Sequence, residues 1–334
     1  VLLLGVFSGC SSWKQKMAVL DSESQELVEQ VRVASESGRQ KQAAELLQQA
    51  VAANPNNAGV RKQLSEFLIS NGYSEEAIEQ LKKTMVLSPD DPKPYIELAY
   101  LLHEKKQYTD SLKNLELGLT LDPVNIRALI LKGELEELAG LNSAAVETHH
   151  RVLQVEPYNL VSRLKLAELQ IKLGEPNRAT PMLRPICHNT SATIEQRAEA
   201  RWLLGVAYGV EQRWSDSVKS LELALKNRTD ATADDWYRLA YASLQANETE
   251  KMYQAVTQAL TLNPQHSETN RLSSYLTQQV KQVNIQQASL YTPIQRPGFI
   301  GQSAPRIPLE TLQPPPGWQK SSSLSIAADS RRVQ

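Results

Sequence analysis

Cysteine is nearly absent from this 334-residue chain, with Cys10 and Cys187 the only two. Two thiols allow a single bridge at most, and supply neither a disulfide framework nor a thiolate metal cage. Histidine is also scarce, and none of His103, His149, His150, His188 and His266 sits in a metal-binding spacing such as H-E-x-x-H. Charge of one sign is not in excess: 36 Lys and Arg face 37 Asp and Glu, for a net charge of −1. That balance gives nucleic acid no broad attraction, and nucleic acid is not an expected partner. Aromatic residues make up only 6% of the chain, while Leu, Ala, Gln and Glu abound, which favours helix over sheet. No glycine-rich phosphate loop occurs, and no nucleophile, base and orienter stand in a recognisable pattern. The expectation is a protein without catalytic residues, metal or cofactor.

Proline, by contrast, is placed with regularity. Pro55, Pro89, Pro123 and Pro157 follow one another at intervals of 34 residues, and Pro264 closes a later copy. Proline cannot continue a helix and its predecessor avoids the α region, so each marks a helix end. Small residues recur in step with them. One column holds Val31, Ser65, Ala99, Gly133, Ala167, Gly205 and Ala240. A second holds Ala43, Ala77, Ser111, Ala145, Ala179, Ser217 and Met252. Paired helices approach closely only where small side chains meet. Gly38, Gly72, Gly140 and Gly174 stand between the columns, where a left-handed C-cap reverses the chain. Leu47, Leu81, Leu115, Leu183, Leu221 and Val256 are the expected filling between pairs, with His149 in the equivalent place of copy four.

These residues carry a resemblance to the tetratricopeptide repeat. It covers seven copies, 24–57, 58–91, 92–125, 126–159, 160–193, 198–231 and 233–266. Copies five and six lack the closing proline, and 187–197 holds about four residues beyond the period. The resemblance implies an all-α solenoid of about seven antiparallel helix pairs. A polar-faced capping helix is expected over 267–290. The Pro- and Ser-rich stretch 291–334, with Pro314-Pro315-Pro316, reads as an extended or disordered tail.

Such a stack leaves a concave surface along its first helices, where protein or peptide partners bind. Residues that pack neither inside a pair nor between pairs line it. In copies six and seven these are Trp202, Leu203, Val206, Val210, Tyr237, Arg238, Tyr241 and Leu244; in copy three they are Ile96 and Tyr100. Aromatics beside an arginine have the chemistry of a binding hot spot, although aromatics at helical spacing are more often core. The resemblance also raises a clamp for a peptide's terminal carboxylate. Lys62 suits it, but Glu66 and Glu97 stand where Asn is needed and repel a carboxylate. His149 and His150 point about 100° apart on a helix and are poorly placed to share one ion.

The apolar run Val1–Phe7 is too short to span a bilayer, which takes about 20 residues. Followed by Ser8-Gly9-Cys10, it resembles the end of a bacterial lipoprotein signal, with Phe7 in place of the usual Leu and without a charged start or initiator Met. The resemblance implies that 1–9 is a signal remnant and that Cys10 is lipidated and anchors the chain to the membrane. It further implies that 10–23 is a tether and that the protein is an outer-membrane lipoprotein facing the periplasm. The expected function is a non-catalytic scaffold in envelope assembly, secretion or export, similar to the repeat lipoproteins that act as type IV pilus pilotins. A cytoplasmic adaptor resembling a co-chaperone is the alternative, and the repeat region of a transferase system a third reading.

Overall fold

The computed structural model describes residues 5–290, 312–316 and 318, with side chains described for 19–278, 312–316 and 318. Among the described residues there are fifteen α-helices and no strands, divided between two units, 1–155 and 156–334. The first unit contains α1 (Gly5–Glu36), α2 (Gln40–Ala53), α3 (Ala58–Ser70), α4 (Ser74–Leu87), α5 (Pro92–Glu104), α6 (Tyr108–Leu121), α7 (Ile126–Leu138) and α8 (Asn142–Val155). The second contains α9 (Leu160–Lys172), α10 (Pro176–Cys187), α11 (Ile194–Val210), α12 (Trp214–Leu225), α13 (Ala233–Gln245), α14 (Thr249–Leu262) and α15 (Ser267–Leu290). Within each unit every helix packs on its neighbours in sequence, which is the order of an α-solenoid.

Both ends of each hairpin are set by local chemistry. Asn57, Asp91, Asn125 and Asn159 each stand two places after a periodic proline and cap the next helix. Their side chains accept from the backbone N–H of Val60, Lys93, Ala128 and Ser162, at about 1 kcal/mol per cap. Between the two helices of a pair the chain turns through the left-handed region. Gly38, Gly72, Gly140 and Gly174 take φ between 72° and 81°. Lys106, Gln212 and Asn247 hold the same conformation at 58° to 61° without the freedom of glycine.

The small-residue columns are the helix crossings. Ser65, Ala99, Ala167 and Ala240 on first helices are fully buried, as are Ala43, Ala77, Ser111, Ala145, Ala179 and Ser217 on second helices. Where the second helix carries serine, its hydroxyl donates to the facing carbonyl: Ser111 to Ala99 and Ser217 to Gly205, each at 2.7 Å. The large residues fill space inside the pair as well as between pairs. A Cβ on Gly205 would stand 2.6 Å from Cγ of Leu221, and one on Gly133 would stand 2.7 Å from Nε2 of His149. His149 is fully buried over Gly133, whereas the adjacent His150 is exposed.

The four residues beyond the period do not form a loose bend. They lengthen α11 to 17 residues against 13 in α9, close to one extra turn. The segment 10–23, expected as a tether, is likewise part of α1, because no Gly or Pro interrupts the chain between Cys10 and Gly38. Its end is tied to the first hairpin: Asn54 Nδ2 donates to Asp21 at 2.6 Å, and Ser24 Oγ to the Ala50 carbonyl at 3.1 Å. The side chain of Cys10 lies outside the described residues. No helix of the described residues is long and apolar enough to cross a membrane.

Two substitutions test these constraints by urea unfolding followed at the helical CD band. Gln212→Gly relieves a left-handed residue and raises stability by about 1 kcal/mol. Gly205→Ala forces a methyl into Leu221 and lowers it, since overpacking costs about 1–3 kcal/mol and outweighs the better helix preference of Ala.

Candidate peptide groove

The groove residues of the second unit rise from two first helices, α11 and α13. Neither helix is preceded by a periodic proline, and each begins with a capping box instead. Thr193 pairs with Gln196 and Thr232 with Asp235, each side chain bonding the other residue's backbone N–H. With the starts fixed, Trp202, Val206 and Val210 follow one another at four-residue spacing along α11, and Tyr237 and Tyr241 do so along α13. Trp202, Val206, Val210, Tyr241 and Leu244 are half-buried and pack on one cluster with Leu221, Tyr237, Leu239 and Val256. Leu203 belongs to the neighbouring core instead, buried against Leu164, Ala167 and Leu183.

The pair expected in copy three belongs to the first unit and divides. Tyr100 is half-buried, donates to the Arg127 carbonyl at 2.9 Å and lies 4.8 Å below that residue's guanidinium. Ile96 is only 4% exposed and belongs to the core cluster with Ala99, Leu115 and Leu129, at the edge of a cleft that Lys93, Glu97 and Arg127 also line. Gly118 leaves the room it occupies, since a Cβ there would stand 2.9 Å from Cγ1 of Ile96. The charges weighed for a carboxylate clamp are each paired with a residue further along the chain: Lys62 with Asp91 at 2.7 Å, Glu66 with Lys93, and Glu97 with Arg127 at 3.2 Å.

The groove of the second unit is occupied by the chain's own tail. Leu312, Pro315 and Trp318 are buried, whereas Gln313 and Pro316 are exposed and Pro314 is intermediate. A three-residue spacing of buried side chains is the period of a polyproline II helix. Three hydrogen bonds hold the segment. The Tyr237 hydroxyl donates to the Gln313 carbonyl at 2.7 Å, and Arg238 Nη1 to the Pro316 carbonyl at 3.0 Å. In return the Trp318 indole N–H donates to the Val206 carbonyl at 3.0 Å. A turn in which the Trp318 backbone N–H donates to Pro315 swings the indole inward.

The indole sits among rings and against a glycine. Trp214 and Tyr241 approach it with centroids 5.7 and 6.1 Å away, and the Arg238 guanidinium lies 5.2 Å over its ring. A Cβ on Gly209 would stand 2.2 Å from the indole Cε2. Gly209 is thus the floor of the indole pocket, a role apart from the helix crossing at Gly205. Burial pushes the Tyr237 hydroxyl well above the usual tyrosine range, with Tyr241 and Glu268 adding to it, so it stays a proton donor. Burial also pushes the Arg238 guanidinium down, against the pull of Asp235 and Asp234. Beside the site a cleft of about 530 Å³ is lined by Glu168, Glu199, Trp202, Arg228 and Asp230 among others. Burial raises the Glu199 carboxyl there, and Arg228 lies 5.1 Å over the Trp202 ring.

Sequence reasoning had named Trp202, Val206, Tyr237, Arg238 and Tyr241 but missed Gly209, Trp214 and the tail itself. Gly209 lies outside the repeat columns. The spacing of Leu312, Pro315 and Trp318 was the readable signal, hidden in a segment judged by composition.

Two family profiles, both described as tetratricopeptide repeat, match residues 34–85 and 236–266. Cellulose synthase operon protein C of Pseudomonas fluorescens (strain SBW25) is 26% identical over 186 residues, 52% of this chain and 14% of that protein. The chain spans less than half the length of the curated relatives it matches. Among solved structures, PilF of Pseudomonas aeruginosa superposes with a TM-score of 0.53 at 13% identity, over 65% of this chain and 96% of that one. YrrB, described as a tetratricopeptide-repeat protein with an unusual peptide-binding site, gives 0.50 at 20% identity, over 58% and 97%. These likenesses establish the fold. That fold is an all-helical solenoid of the tetratricopeptide-repeat type, and two stretches of the chain match the repeat's own profiles.

Gly209→Ala separates pocket from scaffold. The methyl expels the indole while improving α11 by about 1 kcal/mol of helix preference. The expected result is loss of the near-UV CD contributed by the Trp214–Trp318 contact, with a thermal midpoint of the helices that does not fall.

Proposed function

We propose that this protein is a non-catalytic scaffold of the cell envelope that binds extended segments of partner proteins in the groove of α11 and α13, in assembly, secretion or export. The observation that carries the groove reading is its occupancy by an extended segment, gripped through backbone carbonyls by Tyr237 and Arg238. Main-chain contacts supply affinity and the pocket for one large side chain supplies selection, the logic of peptide-recognition grooves.

The envelope assignment rests on the sequence. The apolar run up to Phe7 and the Ser8-Gly9-Cys10 phrase are what a lipoprotein signal offers its peptidase. Acylation of Cys10 in an outer membrane facing the periplasm would hold the scaffold there, two acyl chains being enough for stable anchoring. The continuous helix α1 would then stand between lipid and first hairpin.

Two measurements test the reading. Trp202→Ala and Arg238→Ala each lower recovery of partners in affinity purification from native membranes by at least about tenfold, with helical CD retained. Unchanged recovery from both removes the groove from the function. Cys10→Ala releases the protein from membranes and abolishes palmitate labelling; a variant still partitioning with membranes removes the anchor.

A further inference from the structure

Among the described residues, the groove's hydrogen bonds to the backbone of its occupant run one way. Toward the backbone of its occupant it presents donors, the Tyr237 hydroxyl and the Arg238 guanidinium, and both meet carbonyls. The helical carbonyl of Val206 is an acceptor, and it takes a side-chain indole N–H, not a backbone one. An ordinary extended peptide brings a backbone N–H at every residue, and each one buried without an acceptor is costly. Proline brings none. Pro315, the buried one of Pro314 to Pro316, therefore suits this surface in a way that a residue with a backbone N–H does not.

The side-chain demands agree. Leu312 and Pro315 enter from an extended stretch that proline favours, and the turn closed by the Trp318 N–H to the Pro315 carbonyl brings the indole in three residues later. The last pocket has a flat floor at Gly209 and edges formed by Trp214 and Tyr241, dimensions that suit an indole.

Resting on the groove reading above, we infer that the partner segment recognised here is proline-rich and carries a tryptophan three residues after a buried proline, and that the tail's own Leu312, Pro315 and Trp318 are a built-in competitor for the same site. A segment carried on the same chain meets its groove at a higher effective concentration than a free peptide does. A partner has to displace it, so the scaffold stays closed to weak or nonspecific sequences and opens to a tight or multivalent one.

The test uses the full chain and a fluorescent synthetic peptide of residues 309–321 as probe, read by anisotropy. The Trp318→Ala chain, whose own segment no longer fills the indole pocket, is expected to bind the peptide at least about tenfold more tightly than the unaltered chain. Gly209→Ala, which also frees the groove but blocks the pocket, is expected not to bind it. A peptide with its tryptophan moved by one residue is expected to bind the Trp318→Ala chain at least about tenfold more weakly than the first. Equal affinity of the unaltered and Trp318→Ala chains overturns the competitor. Equal binding by Gly209→Ala, or of the shifted peptide, overturns the indole rule. A dimer of the unaltered chain that Trp318→Ala dissolves places the segment on a second copy and overturns the intramolecular assignment. Absence of peptide binding by every chain, with partner recovery still dependent on Trp202 and Arg238, sinks this inference and leaves the scaffold reading standing.

Discussion

Two helices of a pair meet where a side chain from the second reaches over a position on the first that has almost no side chain of its own. Leu221 over Gly205 and His149 over Gly133 are the tightest such contacts, and the alanines and serines of the other pairs are milder versions. Everything else follows from that approach. Close crossings bury the large residues in a continuous apolar strip, and the strip needs a neighbouring hairpin to complete it. The column also explains why polar residues are tolerated at its centre. Ser111 and Ser217 donate to carbonyls of the facing helix at 2.7 Å, so burial leaves neither of these two hydroxyls stranded.

Most of the fold was legible because its causes are local and repeat. Proline stops, small columns and glycine reversals each act within a few residues, and a period of 34 repeats the message until chance is a poor explanation. Departures from the period were harder to read, since the same physical need can be met by other residues. Lys106, Gln212 and Asn247 adopt the left-handed turn that glycine adopts elsewhere, at a cost that tertiary packing covers. Thr193 and Thr232 start helices that lack the proline signal. The four surplus residues before copy six extend α11, because a threonine cap one turn earlier starts the helix sooner.

The groove was half legible for a different reason. Helical spacing tells which side chains share a face, and it gave Trp202, Val206, Tyr237 and Tyr241 correctly as neighbours. It does not tell what covers the face. Ile96 was placed on the surface by its position, yet the missing side chain at Gly118, on the second helix of the same pair, draws it inward. Tyr237 shows the converse. Its 3% exposure would mark it as core, but part of what buries it is a segment more than 70 positions away in sequence. Burial by another element of the scaffold and burial by an occupant look alike in a single number, and only the identity of the covering residues separates them.

That distinction gives the two glycines of α11 their meaning. Gly205 and Gly209 lie one turn apart, and each is missing a Cβ because a ring or branched side chain lies within 3 Å of where it would stand. At Gly205 the intruder is Leu221, part of the same hairpin, so the glycine serves folding. At Gly209 the intruder is Trp318, part of the tail, which supplies all three of the nearest atoms. A helix interior ordinarily disfavours glycine by about 1 kcal/mol, and Gly209 incurs that cost where its nearest neighbours are atoms of the tail's indole. The scaffold thus carries at position 209 a small loss of stability that makes physical sense as a binding pocket, with Arg238 over the same ring and the Val206 carbonyl aimed at its N–H.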